Sequence, residues 1–314
     1  MLLSRTADDL YWLARYVERA ENTARIIDAA LRLSSLPTGY GGSGNEWESA
    51  VLATGNHDLF TSLYEEATQE TVVEYLAFSS ANPSSIRSCL TVARHSARAV
   101  RTAITVEMWE AINGAWLDLH RFDAASMTRQ RLNTFLAFVK EFSIRFDGSA
   151  YRTMLRTDAY SFSRLGVFLE RSDATARILD VKYHVLLPEG DEVGGGLDYF
   201  QWSSILRSVS ALTAYHWVYR DQIRPWNVAE LLILREEQPR SIASCTANVV
   251  LFLDQLAAQY GRQGPSQRAA RALAARLSNT NINEVFQGGL HEFLEEMIVE
   301  INQIGASIAR QYLI

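Results

Sequence analysis

An eleven-residue block returns 152 positions further along the chain. Glu18-Arg19-Ala20-Glu21-Asn22-Thr23-Ala24-Arg25-Ile26-Ile27-Asp28 reappears as Glu170-Arg171-Ser172-Asp173-Ala174-Thr175-Ala176-Arg177-Ile178-Leu179-Asp180, identical at seven of eleven positions. Each copy is followed by Leu-Pro, a glycine-rich stretch and a tryptophan, with Pro37 and Trp47 after the first and Pro188 and Trp202 after the second. Further on, the segments Val72–Leu76 and Asn82–Cys89 are matched by Val228–Leu232 and Gln238–Cys245 at an offset of 156. Anchors in the same order with so little drift indicate a duplicated unit, with halves at 1–148 and 149–314. A pair of repeats is too few to bury a core by stacking alone, so the halves are expected to pack on each other about a pseudo-twofold axis. A site built by both copies belongs near that axis.

The periodicity of each half is helical. From Asp8 to Leu33, Leu10, Leu13, Val17, Ala20, Ala24, Ile27 and Leu31 recur at spacings of three and four, the pattern of an amphipathic helix of about seven turns. A second helix is expected to start at Pro83 with Asn82 as its cap and to run to about residue 119, with Asn113-Gly114 as a break. Further helical patterns cover 124–146, 156–184, 200–221, 225–235, 239–261, 264–278 and 284–313, with loops at 36–46 and 187–197. Six prolines in 314 residues interrupt little of this. The fold expected is all-α, an internally duplicated helical bundle.

The chemistry-bearing residues cluster on the repeated helix. Arg15, Glu18, Asn22 and Arg25 step by three or four along one stripe, with Glu21 and Asp28 beside it, and the second copy keeps Glu170, Asp173, Arg177 and Asp180. On an exposed face these would be solvated i,i+4 ion pairs worth a few tenths of a kcal/mol each. The same helix carries Leu10, Tyr11, Trp12, Leu13, Tyr16 and Val17 on several sides, which points instead to burial nearly all round. Buried charges must pair, so the stripe is either a structural ion network or a pocket. The ligand-binding candidates are Arg15, Glu18, Glu21, Arg25, Glu170 and Arg177. Glu18 and Glu170 are also the candidates for a catalytic acid or base, should burial raise their pKa values. Arg87, Arg94, Arg98 and Arg101 form a second stripe, suited to neutralising the acidic stripe or to holding an anion. Ser85, Ser88, Ser241 and Ser244 sit where hydroxyls cap helix starts.

Other chemistries lack their residues. The formal charge of −6 argues against a nucleic-acid protein. None of the six histidines makes a Glu-x-x-His or His pair at helical spacing, so no metal site is expected, and no cofactor fingerprint occurs. Cys89 and Cys245 occupy matching positions and read as small buried thiols in a reducing, cytoplasmic compartment. No run is apolar enough to span a membrane, and no signal peptide is apparent. Arginine supplies all but two of the 30 basic residues, the exceptions being Lys140 and Lys182.

The stretch from Leu3 to Arg25, reading Leu-Ser-Arg-Thr-Ala-Asp-Asp-Leu-Tyr-Trp-Leu-Ala-Arg-Tyr-Val-Glu-Arg-Ala-Glu-Asn-Thr-Ala-Arg, resembles the bacterial alpha-E domain family. So do Asn82–Ile86, Glu107–Glu110, Leu169-Glu170-Arg171, Ile223-Arg224-Pro225 and Pro239–Ile242. Members of that family are typically encoded beside a circularly permuted ATP-grasp protein and a transglutaminase-like protein. The resemblance therefore implies a cytoplasmic accessory or partner protein of an ATP-grasp-type amide ligase pathway, with those two proteins as partners. Its Arg/Glu pocket between the halves would take a small anionic or amino-acid-like ligand. A free-standing enzyme of the same pathway and a purely structural scaffold are the alternatives, and a homodimer is compatible with the sequence. The chain departs from the family pattern at Ser79, at His95-Ser96 and at Val167, where the second copy usually carries Arg.

Overall fold

The computed structural model describes residues 2–35, 46–184 and 195–313, and among these no strand occurs. The chain is all-α. The first helix, α1 (Ser4–Leu33), is followed by three short ones, α2 (Glu46–Ala53), α3 (His57–Leu63) and α4 (Gln69–Val73), the last running into a π turn at Glu74–Phe78. Then come α5 (Ile86–Ala99), α6 (Val106–Leu119) and α7 (Arg129–Thr153). The long α8 (Asp158–His184) precedes α9 (Gly196–Ser208), α10 (Leu212–Tyr219) and α11 (Pro225–Ile233). The chain closes with α12 (Ile242–Tyr260), α13 (Pro265–Asn279), α14 (Ile282–Gly288) and α15 (Leu290–Ile308).

The centre of the molecule is the pair α1 and α8. They run side by side in the same direction: Leu2 N donates to Asp158 Oδ2 at 2.9 Å near their starts, and Arg15 Nε donates to Glu170 Oε2 at 2.7 Å further along. Between these contacts the backbones nearly touch. A Cβ on Gly166 would lie 2.3 Å from the Tyr11 carbonyl oxygen, so only glycine permits this approach. From Val17 to Leu31 every residue of α1 except Arg19 is buried, which explains why small residues such as Ala20, Ala24, Ala29 and Ala30 fill this stretch. Around this pair, α5 and α7 pack on α1, with α6 against both, while α12 and α15 pack on α8, with α13 against both.

Several helix ends differ from the sequence expectation. The helix expected from Pro83 begins at Ile86, capped by Ser85, whose Oγ accepts from Ser88 N at 3.2 Å; Asn82 Oδ1 instead accepts from Ser84 N at 2.9 Å in the preceding turn. Its break falls at 100–105 and not at Asn113-Gly114. Thr105 caps the new helix, accepting from Met108 N at 3.4 Å, whereas Asn113 is tied to α5 by Arg94 Nε at 2.9 Å. The helix expected over 124–146 is α7, which runs on to Thr153, and the turn after it lies at 154–157. The pattern at 200–221 is two helices, and that at 284–313 is interrupted at Gly289. Of the expected loops, 36–45 and 187–194 lie outside the described residues, while Glu46 already begins α2 and Gly196 begins α9.

Candidate functional site

The two Glu-Arg dipeptides of the repeated block meet across the α1–α8 seam and exchange partners. Glu18 accepts from Arg171 Nε and Nη2, both at 2.8 Å. Reciprocally, Glu170 accepts from Arg19 Nε at 2.6 Å and Nη2 at 3.0 Å. Both are bidentate fork-to-carboxylate pairs, the geometry in which an arginine gives most. The carboxylates are almost fully withdrawn from solvent, at 2% exposure for Glu18 and 5% for Glu170. Helical spacing then brings further charges to each pair, and the chain supplies them differently on the two sides.

Beside Glu170, the third guanidinium comes from α1. Arg15 donates to Glu170 and, through Nη1, to Tyr11 Oη at 3.2 Å. Four residues beyond Asp173, Arg177 donates Nε to it at 2.6 Å and Nη1 to the Ala53 carbonyl at 3.1 Å. Ser84 stands opposite on the turn before α5, which Asn82 anchors by donating Nδ2 to the Tyr75 carbonyl at 3.2 Å. These groups, with Asn22, Thr54, Asn56 and Asn302, line a cavity of about 300 Å³. Three guanidiniums face two carboxylates there. Asn22 is buried, and among the described residues its Nδ2, itself withdrawn from solvent, meets no acceptor.

Beside Glu18, the third guanidinium comes from the turn before α12. Arg240 Nη1 donates to Glu18 Oε1 at 3.1 Å and Asn22 Oδ1 at 3.3 Å, and its Nη2 pairs with Glu21. Glu21 also accepts from Arg25 Nε at 2.8 Å and from Ser143 Oγ at 2.6 Å. Arg25 Nη1 in turn donates to the Ser208 carbonyl at 2.5 Å and to Ser210 Oγ. The candidate residues are thus divided. Arg15, Glu170 and Arg177 line the cavity; Glu18, Glu21 and Arg25 belong to the cluster around Arg240.

Burial pushes both seam carboxyls up, but the guanidiniums outweigh it. Arg171 and Arg240 hold Glu18 down at about 2, and Arg15 and Arg19 do the same for Glu170. The upward shift a general acid would need is therefore absent: both groups are charged at neutral pH and saturated with donors. Cys89 and Cys245 are fully buried close to this seam, and burial pushes each thiol up to about 12, which suits inert packing.

Sequence reasoning missed Arg19, Arg171, Arg240 and Ser84. The first two were visible in principle, because the repeat keeps Glu-Arg unchanged in both copies. Among the described residues, Arg87, Arg94 and Arg101 of the α5 stripe engage groups other than the acidic stripe. Arg87 donates to the Phe122 carbonyl at 3.2 Å and lies over Phe78, Arg94 bonds Asn113 and covers Trp116, and Arg101 covers Trp109. Ser85 and Ser241 act as helix caps, the latter accepting from Ser244 N at 2.9 Å. Among the described residues no group of three or more His, Cys, Asp or Glu side chains is placed to hold a metal, and no helix is long and apolar enough to cross a membrane.

Fold and site together define an all-α protein organised on a buried, crossed pair of Glu-Arg dipeptides. The chain belongs to the Alpha-E family, described as a predicted alpha-helical domain with a conserved ER motif, whose model matches residues 2–313. The Glu-Arg dipeptide of that description occurs twice here, and the two copies bind each other. No curated protein and no solved structure matches the chain.

Proposed function

We propose that this chain is a cytoplasmic accessory protein of an ATP-grasp-type amide ligase pathway, built as two repeat-related halves, whose cavity beside Glu170 binds a small anionic or amino-acid-like ligand. The pathway, with the ATP-grasp ligase and a transglutaminase-like protein as partners, follows from the family resemblance. The ligand reading is carried by one observation: among the described residues, three guanidiniums, Arg15, Arg19 and Arg177, meet two carboxylates, Glu170 and Asp173, around the cavity. Buried donors and excess positive charge favour an oxygen-bearing anion. A free-standing acid–base enzyme is the weaker reading, since Glu18 and Glu170 are held ionised by arginines.

The test is a pull-down of the purified chain with the neighbouring ATP-grasp protein, followed by ATP hydrolysis on a pool of amino acids and peptides with and without it. A stable complex with substrate-dependent turnover is the expected result. Two folded proteins that neither bind nor alter each other's activity would overturn the accessory role.

A further inference from the structure

The cavity has a repeat-related counterpart, and comparing the two explains why the chain keeps one of them. Shifting the helix block by 152 carries Glu170, Asp173 and Arg177 onto Glu18, Glu21 and Arg25. The contacts follow the same correspondence. Arg177 Nη1 donates to the Ala53 carbonyl and passes close to Gly55 (φ 71°), while Arg25 Nη1 donates to the Ser208 carbonyl and to Ser210 (φ 60°), 155 residues on in both cases.

Several positions differ between the copies, Asn22 against Ala174 among them, and two of the differences decide what fills the space beside each glutamate. Position 84 is Ser where its counterpart 240 is Arg, and position 15 is Arg where its counterpart 167 is Val. On the Glu18 side, the Arg240 side chain occupies the space between Glu18, Glu21 and Asn22. Thr175 Oγ1, donating to the Arg240 carbonyl at 2.7 Å, fixes the turn that presents it. On the Glu170 side, the short Ser84 leaves that space as cavity, while Arg15 reaches Glu170 from within α1. Each side therefore has three guanidiniums and two carboxylates, but only one has room.

We propose that the chain carries two repeat-related pockets, that Arg240 is the built-in occupant of one, and that Ser84 determines specificity by leaving the other to a ligand oxyanion, one per chain. This rests on the ligand reading of the cavity given above. Equal charge on the two sides decides the sign of the ligand. A cation in the corresponding place on the Glu170 side would bring a fourth positive charge beside Arg15, Arg19 and Arg177, whereas a carboxylate or phosphate neutralises the excess. Arg15 is then a binding residue as well as a partner of Glu170.

The experiment is titration calorimetry of the full chain with L-glutamate and, separately, inorganic phosphate, the two arms distinguishing a carboxylate from a phosphate ligand. Wild type should bind one equivalent of at least one probe. R15V/S84R puts an arginine on the Glu170 side at the position equivalent to Arg240, and should keep the wild-type circular dichroism while losing more than about tenfold in affinity, as fits removal of charge-assisted bonds. V167R/R240S should gain a second equivalent, a result only a folded protein can give. Wild type that binds while R15V/S84R binds equally, or V167R/R240S that stays at one equivalent, would overturn the role of Ser84 and Arg240 and leave the ligand reading standing. Wild type that binds neither probe would overturn both.

Discussion

Replacing Glu18 with glutamine leaves the shape of the seam intact and removes the charge that two buried guanidiniums depend on. Arg171 gives Glu18 two bonds at 2.8 Å and Arg240 one at 3.1 Å, with those arginine side chains only 12% and 13% exposed. Removing one partner of a buried ion pair costs about 3–5 kcal/mol, and the remaining amide oxygen of E18Q places it near the lower end, at about 3 kcal/mol. Unfolding entropy of about 2.1 cal/mol/K per residue gives roughly 0.7 kcal/mol/K over the whole chain, so Tm should fall by about 5 °C. The control is D118N, which breaks the 3.1 Å pair between Asp118 and Arg121, exposed at 43% and 79%. A surface pair of that kind is worth about 0–1 kcal/mol, or about 1.5 °C or less on the same scale. Thermal melts followed by circular dichroism at 222 nm read both. If E18Q melts with D118N, the crossed pairs do not hold the two central helices together.

Gly166→Ala should destabilise by about 1–3 kcal/mol in the same melts, since its Cβ would meet the Tyr11 carbonyl, whereas Gly114→Ala, with nothing within 4 Å, should gain about 0.5–1 kcal/mol. Equal effects of the two would mean that α1 and α8 do not approach as described. Acid should weaken the fold in a defined window. Burial alone would raise Glu18 and Glu170, but their arginine partners hold both at about 2 against an ordinary 4.5, so the unfolded chain binds more protons between those values. Their stabilisation is complete above pH 4.5 and is lost as pH falls toward 2; a Tm that stays flat across that interval contradicts it. A thiol reagent at mildly alkaline pH should leave native Cys89 and Cys245 unmodified and titrate two thiols after denaturation, and rapid native labelling would show that these sites open.

Much of this architecture is readable from periodicity, because α1 and α8 carry apolar residues all round and α11 and α13 begin at prolines suited to a helix's first turn. The short helices between Glu46 and Phe78 are not, since α2, α3 and α4 span eight, seven and five residues, too few to display a helical period. Gly114 misleads for a different reason: it sits in open space inside α6, where its flexibility costs little enough for the helix to pass through. At the site, the repeat places Glu18 and Glu170 together, but spacing along one helix cannot say which arginine crosses to which glutamate. Pairing is set by the parallel approach at Gly166, and that approach depends on tertiary packing. Ser84 and Arg240 carry no signal singly; their meaning comes from being one repeat position filled in two ways.

A crystal structure grown with L-glutamate or inorganic phosphate is the most direct measurement. The expected density lies in the cavity between Asn22, Arg19 and Ser84, with Arg240 still bound to Glu18 and Glu21. Density on the Glu18 side with Arg240 displaced, or oxyanions found only on the exposed surface while the cavity holds solvent, would contradict a ligand site beside Glu170.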